Sequence, residues 1–83
     1  MAHTRAKLAL DTGKIVAEFV RDINSDGSVD KWMVENFDGT LRVNARSLLG
    51  MMYASAEWNG EIYLFNASDE TAVAPNFIDK YRA

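Results

Sequence analysis

Eighty-three residues, 48% of them hydrophobic and nine of them aromatic, suffice for one packed core and are too few for two, so residues 1–83 are read as a single domain. A net charge of −3 argues against a nucleic-acid partner, since neutralising phosphates takes a basic surface. With no cysteine and a single histidine, His3, disulfides and thiolate metal sites are excluded and a structural zinc site lacks ligands, so no metal and no cofactor is expected.

No apolar run approaches the ~18 residues that span a bilayer, and no signal-peptide pattern precedes the first charges, so a cytoplasmic protein without membrane insertion is expected. Residues 6–10 alternate loosely and predict a first strand with Leu8 and Leu10 on one face. Asp11-Thr12-Gly13 interrupts it, and Asp11 or Thr12 supplies an oxygen for the free amides of a helix start. From Lys14 to Asn24 the apolar residues fall at Ile15, Val16, Phe19, Val20 and Ile23, a broad helical stripe, with Gly27 available for the turn that follows.

Residues 29–36 predict a second strand, placing Trp32 and Val34 together and Met33 on the other face. Asp38-Gly39 signals a hairpin because both residue types tolerate positive φ, and Leu41 and Val43 alternate with Arg42 in the return strand. A short apolar helix is predicted from Ser47 to about Ala54, then an Asn59-Gly60 turn and a fourth strand over residues 61–65. Pro75 opens a short last helix carrying Phe77, Ile78 and Tyr81. The order is strand, helix, strand, strand, helix, strand, helix; with antiparallel pairing this predicts an α+β sheet with helices on one face.

Residues 43–52, Val-Asn-Ala-Arg-Ser-Leu-Leu-Gly-Met-Met, followed by Gly60-Glu61-Ile62-Tyr63-Leu64, resemble HPr, the histidine-containing phosphocarrier of the bacterial sugar phosphotransferase system. Gram-positive members read V-N-x-K-S-[IL]-M-G-x-M and G-x-E-I-T-[IL] at the matching stretches, and Phe19-Val20-Arg21 matches the F-V-K of their first helix. The resemblance spans roughly Lys7 to Phe65. It implies an open-faced β-sandwich of order βαββαβα, with a four-stranded antiparallel sheet and helices on one face.

The family's phosphoacceptor motif, G-x-H-x-R-[PA], is not reproduced. Aligned through Phe19, Thr12 takes the histidine's place and Lys14 the arginine's. Threonine cannot form the labile phosphoramidate on which reversible phosphate passing depends, while Lys14 keeps a positive charge at a helix start. His3-Thr4-Arg5-Ala6 carries the letters H-T-R-[PA], which keeps a phosphocarrier accepting phosphate on His3 as an alternative. It lies sixteen residues ahead of Phe19 and leaves no first strand before it.

Ser47 matches the serine that a dedicated kinase phosphorylates in Gram-positive relatives, so the resemblance makes it a regulatory phosphorylation candidate with Arg46 beside it. A helix cap worth about 1 kcal/mol is the plainer role. By the same resemblance Arg46, Leu48, Met51 and Met52 form a partner-binding surface for phosphotransferase-system enzymes, a kinase or a transcription regulator. On helical geometry Leu49 and Met52 are expected inward and Leu48 and Met51 outward, with Tyr53 and Trp58 extending the patch. Asp22/Asp26 and Asp69/Glu70 lie at polar turns, no glycine-rich phosphate loop occurs, and Ser47 has no histidine near it in sequence. The expectation is therefore a non-enzymatic HPr-like protein acting by protein–protein contact, with homodimerisation as a possible extension because the last helix is short.

Overall fold

The computed structural model describes residues 4–26, 30–69, 71–72 and 74–83. The elements are β1 (Ala6–Leu8), α1 (Gly13–Ser25), β2 (Trp32–Glu35), β3 (Arg42–Asn44), α2 (Leu48–Glu57), β4 (Ile62–Asn66) and a final 3₁₀ helix (Asn76–Tyr81). The fold is α+β, with one antiparallel four-stranded sheet in the order β1-β4-β2-β3. His3 and Gly27 lie outside the described residues, as does Glu70.

Register fixes which side chains share a face. Leu8 pairs with Ile62, Ala6 and Val34 flank Leu64, and Trp32 meets Asn66. On this side Leu8, Trp32, Val34, Ile62 and Leu64 join Val16, Phe19, Val20 and Ile23 of α1 and Met51, Ala54 and Trp58 of α2 in one core. Both helices thus cover the same face. The four α1 positions recur at i, i+3, i+4 and i+7, the spacing of one helical stripe. Between the two candidate caps, Thr12 is the one used: its Oγ1 accepts the Ile15 amide at 3.2 Å.

The other face of the sheet is open and carries its own cover. Glu35, 2% exposed, lies between Arg5 (2.8 Å) and Arg42 (3.4 Å). Arg5 also stacks on Tyr63, 4.0 Å from the ring centre, and Arg42 on Phe65 at 4.8 Å. These planar cations shield the aromatic rings of β4, and the buried carboxylate of Glu35 pairs with both of them, offsetting one of the two charges. Strand alternation alone puts Glu35 opposite Arg42 once the hairpin register is set.

Several details differ from expectation. β1 ends at Leu8, and the chain beyond it bonds the C-terminal segment instead: Ala9 N donates to Tyr81 O (2.7 Å), Ala83 N donates to Lys7 O (3.1 Å), and Leu8 bridges Arg82. In the β2–β3 hairpin only Gly39 takes positive φ (74°), while Asp38 accepts the Thr40 amide and hydroxyl through Oδ1. At the next turn Asn59 (53°) and Gly60 (79°) both have positive φ, and Glu61 N closes it on Trp58 O at 2.9 Å. The last helix is 3₁₀, and the sheet end beyond it holds a cavity of about 120 Å³ between Ala6, Trp32, Leu64, Ala72 and Ala74.

Candidate functional site

The stretch from Asn44 to Met52 turns from β3 into α2 through a tightly bonded corner. Asn44 Oδ1 accepts the Arg46 amide (2.9 Å), Asn44 O accepts the Ser47 amide (3.0 Å), and Ser47 Oγ accepts the Gly50 amide (3.1 Å). Ser47 is therefore the cap of α2, half-buried, with its hydroxyl at the positive end of the helix dipole. Gly50 allows the close approach of α2 to β3: a Cβ there would lie 3.3 Å from Val43 Cβ and 3.4 Å from Ser47 Oγ.

Arg46, next to Ser47 in sequence, turns its guanidinium to backbone carbonyls. It donates to Ile23 O (2.7 Å) and Asp30 O (3.3 Å), tying the end of α1 to the bend that precedes β2. The physical reason is that the last carbonyls of a helix lack intrahelical donors, and a planar multi-donor group satisfies them well. Asn24 reciprocates by donating Nδ2 to Arg46 O at 3.1 Å.

The apolar residues of α2 also divide differently from expectation. Met51 is fully buried and Leu49 is 84% exposed, the reverse of their predicted sides. Met52, expected inward, is exposed; Leu48 faces outward as expected. The inward stripe is Met51, Ala54 and Trp58, at i, i+3 and i+7, anchored by Ser55 Oγ donating to Leu10 O at 2.9 Å. Trp58 is consequently core rather than patch, with Tyr53 packed edge-on against it from outside at 6.2 Å. Residues 48–53 are apolar around almost the whole helix, so periodicity could not decide which side would be buried. The small Ala54 and hydrogen-bonding Ser55 were the available clues, since close packing selects small residues.

The surface that results joins two elements. Leu48, Leu49, Met52 and Tyr53 stand exposed along α2. Gly13, at the start of α1, has the Met52 Cε as its nearest neighbour, 3.6 Å from where a Cβ would be. Thr12 and Lys14 flank that glycine, both exposed, so the α1 terminus and the apolar face of α2 are contiguous. The first turn of α1 contains no acidic residue. Lys14 sits where the helix dipole disfavours a cation, and the exposed Asp11 precedes the Thr12 cap, so the corner beside the apolar patch carries one charge of each sign. Among the described residues no group of three or more His, Cys, Asp or Glu side chains could hold a metal ion, and no helix is long and apolar enough to cross a membrane. The chain matches no protein-family model, no curated protein and no solved structure.

Proposed function

We propose that this chain is an HPr-like protein that works by docking other proteins, not by passing phosphate on a histidine. The observation that carries the reading is the continuous surface of Leu48, Leu49, Met52 and Tyr53 with Gly13 and Lys14. Exposed leucine and methionine side chains in one patch suit adaptable protein contacts and do nothing for the core. The α+β order, the Ser47 cap of α2 and the Thr12 cap of α1 agree with the open-faced sandwich that the sequence resemblance implies. At the acceptor position, Thr12 Oγ1 is engaged with the Ile15 amide and offers only an alcohol.

A second reading rests on Ser47. A phosphate on its oxygen would meet the free amides at the start of α2, so kinase control of the same surface is chemically reasonable. Arg46 would contribute little to it, being committed to Ile23 O.

The test mixes the whole protein with the general enzyme of the sugar phosphotransferase system and phosphoenolpyruvate, reading acid-labile label and amide shifts together. We expect no acid-labile label and shifts centred on residues 12–14 and 48–53. Leu49→Asp should weaken this contact about tenfold or more, as for an exposed apolar anchor. Acid-labile label on His3 overturns the non-carrier reading; unshifted spectra overturn docking to this class of enzyme.

A further inference from the structure

A second surface lies at the other end of α2. The β2–β3 hairpin and the turn after α2 enclose a groove of about 300 Å³, lined by Phe37, Asp38, Leu41, Glu57, Trp58 and Glu61 among others. Phe37 is 66% exposed and Leu41 48%, although both are large apolar side chains at a hairpin that needs neither for its turn. The Phe37 ring stands outside the core, 6.4 Å from that of Tyr63. An apolar pair held in the open beside a groove is unfavourable in water and becomes favourable when covered.

The charged side chains that line the groove are acidic, while Arg5, outside it, donates to Phe37 O at 3.1 Å and to Asn36 O at 3.5 Å. Asp38, Glu57 and Glu61 contribute carboxylates, and among the described residues no lysine or arginine lines the groove. The hydroxyl and amide of Thr40 hold Asp38 below the usual carboxylate range, and the Tyr63 hydroxyl, ahead of Lys7, does so for Glu61. Both therefore remain ionised at neutral pH. Glu61 also forms an ion pair at 3.6 Å with Lys7, which does not line the groove.

Glu57 is the most telling of the three. It is exposed and ends α2, whose last turn contains no basic residue. A carboxylate at a helix C-terminus is opposed by the dipole, so this placement works against the helix and adds to the negative potential of its terminal carbonyls. Acidic charge, exposed apolar surface and an unfavourable helix end thus converge on one groove.

From this convergence we propose that the groove docks a basic peptide segment of a partner protein. A Lys or Arg side chain enters among Asp38, Glu57 and Glu61, and a neighbouring apolar residue of the same segment rests on Phe37 and Leu41. Charge complementarity selects the cation, and the exposed pair selects a peptide over a bare polyamine, which has no side chain to cover them. The site shares no residue with the Leu48–Tyr53 surface, so it stands independently of the function proposed above.

The experiment titrates the whole protein with a blocked hexapeptide of alternating leucine and arginine, against the same peptide with glutamate for arginine, following amide shifts. Expected are shifts confined to residues 36–41 and 57–61, binding that weakens with added salt, and an affinity about fivefold lower for Glu57→Gln, the effect of removing one exposed ionic partner. Phe37→Ser should also weaken binding, and since Phe37 and Glu57 are both exposed, each variant is expected to keep its dispersed spectrum. No shifts at millimolar peptide would overturn the proposal. So would equal binding of the glutamate peptide, shifts centred on Leu48, Leu49 and Met52, or spermine matching the peptide in shifts and affinity.

Discussion

Tyr81 shows how much a single side chain near the end of the chain can hold. Its ring is buried and packs edge-on against Phe19 at 5.4 Å, and its hydroxyl donates to Asp22 Oδ2 at 2.5 Å. The Tyr81 hydroxyl, with help from Lys80 at 3.1 Å and the charge of Arg21, keeps the Asp22 carboxyl below its ordinary value of 3.8. Burial, then the Asp22 hydrogen bond, with the charges of Asp22 and Glu18, pushes the tyrosine hydroxyl well above its ordinary 10. A lowered carboxyl pKa contributes stability above its unfolded value and loses it as pH falls through the folded one; a raised phenol pKa contributes below 10 and loses stability as pH rises. The pair should therefore support the fold between about pH 4 and pH 10 and weaken on either side. Tyr81→Phe should flatten both limbs of a stability–pH curve measured by urea unfolding, and limbs unchanged from the parent would remove this account. Arg46 and Met51 carry the other lesson at this scale. A guanidinium bound to helix carbonyls and a thioether in the core belong to the scaffold, although in sequence both stand within the motif that suggests a docking surface.

At the scale of elements, α2 is the one whose role depends most on its setting. It is short, apolar on nearly every side, and pressed against β3 at Gly50. Replacing Gly50 with alanine would ordinarily favour a helix by about 1 kcal/mol. Here the new methyl group would meet Val43 Cβ at 3.3 Å, and a branch-point carbon beside the backbone of a strand has little freedom to move. Overpacking costs typically 1–3 kcal/mol, so Gly50→Ala should destabilise the protein by about 1 kcal/mol net, measurable as a lower urea midpoint. A rise in the midpoint would show that β3 yields.

For the whole molecule the open question of any small sheet is its edges. β3 is only three residues long and leads at once into the Asn44 corner, which limits what can pair with it. β1 is closed from outside by the returning C-terminal segment, through Ala9 N to Tyr81 O and Ala83 N to Lys7 O. Deleting Arg82 and Ala83 should expose that edge and promote self-association, seen as a concentration-dependent rise in sedimentation coefficient; a strict monomer would show that the edge is protected in another way. The exposed sheet face is less of a liability, because Arg5 and Arg42 cover its rings and Glu35 pairs with both.

Local chemistry alone was enough for much of this chain. The α1 stripe, the hairpin at Asp38-Gly39, the turn at Asn59-Gly60, the separation of Trp32 and Val34 from Met33, and the capping by Ser47 all follow from periods and turn residues that act over a few positions. Each was legible because the stabilising group and the group it stabilises are near neighbours in sequence. Tertiary structure decided the rest. It chose Met51 over Met52 and Leu49 for the core, because an all-apolar helix has no preferred side until Val43, Leu10 and α1 press on it. It sent Arg46 to Ile23, twenty-three residues away, and set Arg5 against Glu35 at a separation of thirty. It also brought Phe37 and Glu57 to one groove. Contacts between distant residues are the part of a fold that no short-range pattern encodes, and in this protein they are what separates scaffold from surface.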